Sequence, residues 1–343
     1  MKICYINLNT NHPRDRVTIR GLRENGVEVV EITDNSRGLK KFRAIRQKHH
    51  RLNKNYDLAI VGYTGAILVP WLRLISLRKI IYNAGNSFYE SMVISRRVGT
   101  IRAFWYWLID FVAFHAAHLV LVESEAQKTF LVKMFNLRPN KLLVHLTGVD
   151  DQEFYFDPTI EKLEQFTVVF RGKFLPEAGV EIIIMAAKEL EKEKIKVRII
   201  GQGLLEKKVE SLISEFRPGN VELITNQLSF SELRQKMQEC HLSLGQLAKH
   251  PRLYRTIPHK IFESLAMKLP YLTGRNKAVL EVLTENETCL CFEPGNTIDL
   301  AQKISQLKNH PETLARVAQN SSILYHQELT AKHLGAKLLT NLR

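Results

Sequence analysis

Cysteine is scarce: Cys4, Cys240, Cys289 and Cys291 are the only four in 343 residues, and no CxxC pair occurs. Cys289 and Cys291 stand two apart in a strand-like run, the wrong backbone separation for an easy bridge. Neither a disulfide framework nor a zinc site is indicated, and a reducing compartment is expected. A long uninterrupted apolar run is also missing. The two most apolar windows, 58–72 and 103–122, are broken by Gly62, Gly65 and Pro70 in one and by Asp110, His115 and His118 in the other, so neither reads as a membrane span. Residues 1–8 turn polar too soon for a secretory signal and read as a first strand. There is no short-period repeat and no low-complexity segment.

What is present is the composition of a globular protein, 45% hydrophobic and 24% charged with 17 Gly and 11 Pro, which excludes disorder, collagen and coiled coil. The length suits two domains, each able to bury its own core. Charge is the unusual quantity. Lys and Arg number 49 against 35 Asp and Glu, a net +14, and the first 160 residues hold 23 basic and 14 acidic side chains, or +9 of it. Such a balance speaks to partners, and it predicts that the first half faces something anionic.

Short runs rich in Val and Ile alternate with stretches of helical period from end to end, the signature of βαβ units and parallel sheets. Strands are predicted at 2–8, 27–32, 57–61, 79–83, 119–123 and 141–146. The pattern then breaks into the acidic, proline-containing stretch 150–164, read as a linker. A second series follows at 167–170, 197–200, 221–224, 242–244, 271–273 and 288–292, and everything from about 297 has helical period. The expected architecture is α/β: two doubly wound, Rossmann-like domains facing a central cleft, at 1–155 and 165–320, with a helical tail at 321–343 crossing back to the first.

Open parallel sheets bind ligands beyond the carboxyl ends of their strands, so the loops there are the candidate sites. After the strand at 167–170, Gly172 allows close backbone approach and Lys173 offers a point charge. Gly201 and Gly203 form a GxG turn after the strand at 197–200, too little for a dinucleotide fingerprint. Pro258 suits the first position of a helix whose stripe is Ile261, Phe262, Leu265, Ala266 and Leu269. Lys260 and Glu263 lie off that stripe, three apart, and project together. Such a pair can hold a nucleotide diphosphate, the lysine on phosphate and the carboxylate on ribose hydroxyls. The same residues also fit an ordinary βα turn and a surface ion pair.

In order along the second half stand GKFLPEAGVE, IIGQG, LSLGQ, TIPHKIFESLAMKLPYLTG and ETCLCFEPGNTIDLAQKI. This series resembles the retaining glycosyltransferases of family 4, over roughly residues 166–307, and implies the two-domain GT-B fold. The first half resembles that family only loosely. The resemblance implies that Gly172 and Lys173 contact the donor phosphates, that Glu263 is the second acid of a Glu-x7-Glu pattern and meets the ribose, and that Lys260 is the lysine of the PxK branch, with Pro258 before it. It puts Gly201 and Gly203 on the donor-side turn. Lys173, Lys260 and Glu263 are thereby the implied catalytic group, with no metal ligand set and no cofactor beyond the nucleotide-sugar donor. Two positions depart from the pattern: the first acid is Arg255, and the second phosphate lysine is Ala178. On the acceptor side no glycine pair follows the first strand, and His12, Arg14 and Asn86 are the polar candidates.

From Arg37 to Lys54, eight basic residues occur with no acid among them, over an apolar spacing of Leu39, Phe42, Ile45, Leu52 and Tyr56. A basic amphipathic helix of this kind reads as an anionic membrane-surface element. Residues 101–117, with Phe104, Trp105, Tyr106 and Trp107, suit either an interfacial contact or a core. Nucleic acid is not expected, since no aromatic platform is interleaved with the charges. The expectation is a retaining glycosyltransferase of hexosyltransferase type, peripheral on the cytoplasmic face of a membrane. It would move sugar from a nucleotide diphosphate to a lipid-linked or cell-surface glycan. The alternatives are a non-catalytic nucleotide-sugar or glycan-binding subunit, and a nucleotide-sugar epimerase or hydrolase on the same fold.

Overall fold

A computed structural model describes every residue except 9–11, 37, 53–54, 96–97 and 343. Arg37 and Lys54, the ends of the basic stretch, lie outside the described residues. The chain divides into two units, one of residues 1–150 with 330–343, the other of residues 151–329. Of the segment 321–343, the part up to Leu329 stays with the second unit and the rest returns to the first.

The first unit holds β1 (Lys2–Ile6), β2 (Glu28–Ile32), β3 (Leu58–Val61), β4 (Lys79–Gly85), β5 (Leu119–Val122) and β6 (Leu142–Val144). All pair in parallel in the order β2-β1-β3-β4-β5-β6. The four residues of β3 are buried throughout, as a central strand covered on both faces must be. One face packs on Ile45, Leu68, Leu72, Phe114 and Phe135 from four successive helices, and the other on Ile19, Leu22, Leu338 and Leu339. The returning helix Ala331–Leu342 crosses helix Pro13–Glu24 where Gly335 meets Gly21, and a Cβ on Gly335 would lie 2.3 Å from the Gly21 carbonyl carbon. Only glycine at both positions permits that approach. Gly335→Val should therefore lower stability by about 1–3 kcal/mol through overpacking, read as a drop in melting temperature; an unchanged melting temperature would show that the crossing is not tight.

The second unit holds β7 (Thr167–Arg171), β8 (Lys196–Ile200), β9 (Val221–Ile224), β10 (Leu242–Leu244), β11 (Tyr271–Gly274) and β12 (Leu290–Phe292), again all parallel, in the order β12-β11-β10-β7-β8-β9. The order reverses between β7 and β10, which opens a crevice at their carboxyl ends. Burial lifts the buried thiols Cys4 and Cys240 to about 12, so they stay protonated and inert.

The basic helix spans Leu39–Arg51, with Ile45 and His49 buried. Its charges are not all unopposed: Lys48 pairs with Asp34 at 3.1 Å and Lys41 donates to the Leu8 carbonyl. Lys40, Arg43, Arg46 and Arg51 have no ion pair among the described residues. In helix Thr100–Ala116 the aromatics divide, Phe104 and Trp105 being more than half exposed while Trp107 stacks toward Phe111 and Phe135. No helix among the described residues is long and apolar enough to cross a membrane.

Candidate active site

The reversal point of the second sheet gathers most of the residues that the resemblance assigns to the donor side. β7 ends in Arg171, and Gly172 turns the chain away with φ of 155°. A Cβ there would lie 3.2 Å from the Lys260 ammonium, so the glycine leaves room for that side chain. Lys260 opens the short helix Lys260–Ala266, every residue of which is buried. Its Nζ donates to the Gly245 carbonyl, just past β10, at 3.2 Å and sits 3.9 Å from the centroid of the Phe170 ring. Burial first, then the nearby Arg171, pushes its pKa down to about 7, against the pull of Glu263.

Glu263 lies one turn on and is fully buried. Its Oε1 accepts from Arg171 Nη1 and from His259 Nδ1, both at 2.8 Å, while Oε2 has no partner. Burial alone would raise its pKa, but Arg171, His259 and Lys260 hold it below the usual carboxylate value. The surface ion pair that the spacing allows is overturned, because Lys260 is 6% and Glu263 0% exposed and neither carries the other's hydrogen bond. His259 Nε2 and the Gln246 side-chain oxygen, next to Gly245, are likewise buried without partners. One carboxylate oxygen, an imidazole nitrogen and an amide oxygen thus stand ready to bond a polyhydroxyl ligand, beside a lysine and an arginine that can meet phosphate.

Gly201 and Gly203 act one step back. Both have φ of 153°, and a Cβ on Gly201 would fall 1.9 Å from the Gly172 carbonyl oxygen. They let the loop after β8 lie against the loop after β7, where Phe174 N–H donates to the Gln202 carbonyl. Gly201→Ala should therefore displace Gly172 and weaken any ligand held at Lys260. The expected cost is about 1–3 kcal/mol of strain, with a matching loss of nucleotide affinity in a titration; unchanged affinity would separate the two loops functionally. Lys173 is exposed and its side chain makes no hydrogen bond or ion pair among the described residues. Pro258 is not at the first helical position: it is buried one residue before the N-cap His259, where its carbonyl accepts from Ile261 N–H. Ala178 is 3% exposed in the apolar cluster with Phe174 and Leu247, so no cation is presented from there. Arg255 caps the turn Pro251–Tyr254 through its own backbone.

The residues that the motif reading did not select are Arg171 and His259. The last position of a strand beside the glycine turn was a usable signal for the first, and the i,i+4 spacing to Glu263 for the second.

In the first unit, His12, Arg14 and Asn86 come together at the carboxyl ends of β1, β3 and β4, where that sheet's order reverses. His12 stacks on Tyr63 at 3.9 Å, and Asn86 accepts from the Tyr63 hydroxyl at 3.2 Å. Arg14 is buried, donating to Asn83 at 2.6 Å and Thr147 at 3.1 Å, with Nη2 unpartnered. Asp15 accepts from the Tyr5 hydroxyl and the Tyr63 N–H, and its burial raises it to about 6. Among the described residues no group of three or more His, Cys, Asp or Glu is placed to hold a metal.

A family model described as glycosyl transferases group 1 matches residues 151–322. An uncharacterized glycosyltransferase of Methanocaldococcus jannaschii is 27% identical over 152 residues, 44% of this chain and 41% of that protein. The alpha-D-kanosaminyltransferase of Streptomyces kanamyceticus is 26% identical over 159 residues, 46% of this chain and 40% of that one. The match thus spans about two fifths of the length of these curated relatives. The crystal structure of Anabaena HepE in complex with UDP-glucose has the same fold, with a TM-score of 0.77 at 16% identity over 100% of this chain and 99% of that one.

Proposed function

The chain belongs to the glycosyl transferases group 1 family, and from that premise we propose that it is a retaining transferase of the family 4 type. It takes a sugar from a nucleotide diphosphate and delivers it to a lipid-linked or cell-surface glycan. The observation that carries this reading is Glu263: a fully buried carboxylate, ionised by three cationic or donor neighbours, with one oxygen still open at the sheet reversal. Oε1 stays with Arg171 and His259 while Oε2 is left to accept from a ligand hydroxyl.

In this reading Glu263 positions the nucleotide, and Lys260, Lys173 and the backbone at Gly172 receive the negative charge that grows on the diphosphate as the glycosidic bond breaks. Each such positioned donor is worth about 3 kcal/mol in related chemistry. His12, Arg14 and Asn86 serve the acceptor. Uridine diphosphate sugars are the first donors to try, because HepE was crystallised with UDP-glucose. We place the protein at the inner face of a membrane, held by the cations of Leu39–Arg51 against anionic lipid.

The test is thermal stability against a panel of nucleoside diphosphates, followed by sugar transfer with the one that binds. A ligand at about 100 times its Kd should add about 2.7 kcal/mol, and the shift should vanish in Lys173→Ala and Glu263→Ala. The anomeric configuration of the product, read by NMR, checks retention. No shift with any diphosphate would overturn the donor assignment.

A further inference from the structure

A second cationic site lies at the opposite end of the first sheet from its ligand-binding edge. His118 precedes β5, Lys141 precedes β6, and Arg73 sits in the last turn of helix Leu68–Ile75 ahead of β4. With His115, Arg138 and Asn140 they line a cavity of about 490 Å³. Lys141 is anchored by donating to the His115 carbonyl at 2.7 Å. The His118 Nδ1 accepts from Ile80 N–H at 2.9 Å, which leaves its Nε2 as the protonated, donating nitrogen. The charged groups that act most on Lys141 and His118 are cations, Arg73, Arg138 and Lys79 among them, and no carboxylate pairs with Arg73, Arg138 or Lys141 among the described residues. Arg73 and Arg138 have no ion pair among the described residues. Such a cluster of like charge is unfavourable unless an anion completes it.

Apolar side chains are exposed close by in the sequence: Leu74, next to Arg73, is 86% exposed and Leu77 94%. Helix Thr100–Ala116 packs on helix Leu68–Ile75 and exposes Ile101, Trp105 and Val112 along one stripe that ends at His115. Residues 35–122, which include both helices, hold 14 Lys and Arg against three acids, or +11 of the chain's +14. Of those three acids Glu90 and Asp110 are buried, so the outer surface of this stretch is nearly free of negative charge.

We infer that this cavity binds the phosphate of an anionic phospholipid headgroup while the neighbouring Leu74 and Leu77 enter the interface beside it. Phosphate chemistry follows from the cations; a lipid as its source follows from leucines that are otherwise spent on water. The inference rests on the reading that the protein works at a membrane, and it adds a specific contact to the diffuse attraction of Leu39–Arg51.

The experiment is co-sedimentation with phosphatidylcholine vesicles containing or lacking phosphatidylglycerol. It compares wild type, an Arg138→Ala/Lys141→Ala pair, a Leu74→Ser/Leu77→Ser pair, and an Arg43→Ala/Arg46→Ala pair. Nucleotide-induced thermal shift and circular dichroism confirm that each variant folds. Wild type should bind the anionic vesicles, and the cavity pair should bind about thirtyfold more weakly, at about 1 kcal/mol per cation. The leucine pair should weaken binding too, and millimolar inorganic phosphate should not compete. Full binding by the cavity pair, with loss confined to the Arg43/Arg46 pair, would overturn this inference and leave the membrane reading standing. Failure of wild type to bind any vesicle would overturn both. Competition by inorganic phosphate with no effect of the leucine pair would assign the cavity to free phosphate and overturn the lipid.

Discussion

Glu263→Gln should lower kcat/KM by about 10²–10³, the usual result of removing one positioned charged partner at a buried site. The exchange keeps the shape but removes the charge that balances Arg171 and His259, both 2.8 Å from Oε1. Two effects are separable. The loss of a charged acceptor weakens the nucleotide, since a neutral amide binds a diol less strongly. Release of Arg171 is a structural cost, moderated because its side chain is 28% exposed and can turn to water. Isothermal titration with nucleoside diphosphate and then with the free nucleoside separates them: the nucleoside, which keeps the ribose but lacks phosphate, should lose as much affinity as the diphosphate. If only the diphosphate weakens, Glu263 acts by orienting Arg171 and Lys260, and its assignment to ribose fails. The carboxylate is ionised well below neutrality in the folded state, so the stability it contributes is present at pH 7 and is lost as pH falls through its lowered pKa.

The central strands were legible because parallel strands buried on both faces are short continuous apolar runs, and runs such as Leu-Ala-Ile-Val at β3 have no competing period; edge strands such as Glu28–Ile32 were legible from their Val and Ile content although half exposed. Motif order singled out the loops around the reversal of the second sheet, and Gly172, Lys260 and Glu263 do stand together there. What spacing could not show is burial. Lys260 and Glu263 fall off the apolar stripe of their own helix, which on an amphipathic helix would mean solvent; here the loops after β7 and β10 cover that side as well. Nor could it show that Arg171, flagged only by its place at the strand end, meets Glu263, a contact made where β7 and β10 lie side by side. Gly201 and Gly203 read as a ligand turn, yet their freedom from a Cβ is used by Gly172 and Phe174. Arg14 read as a loop residue, and the structure instead encloses it among Asn83, Thr147 and Asp15.

Lys260→Met should cost about 10²–10³ in kcat and, more tellingly, remove a pH dependence from nucleotide binding. Burial and Arg171 set Lys260 to about 7, so above that pH the amine is mostly neutral. A diphosphate beside Nζ favours the charged form, and binding must then take up a proton. Diphosphate affinity should accordingly fall as pH rises above about 7, by up to about tenfold per unit until the pKa of the complex is reached. Titrations in two buffers of different ionisation enthalpy count that proton directly. The ligand-free protein behaves in the opposite sense. The unfolded lysine keeps its proton to about 10.4 while the folded one releases it near 7, so stability should rise with pH across that window as the penalty of burying an ammonium disappears. In Lys260→Met both slopes should flatten. If the variant keeps the wild-type slope for binding, another group takes up the proton and Lys260 does not touch the phosphates; if it loses the slope but keeps kcat, the lysine binds the diphosphate without stabilising its departure.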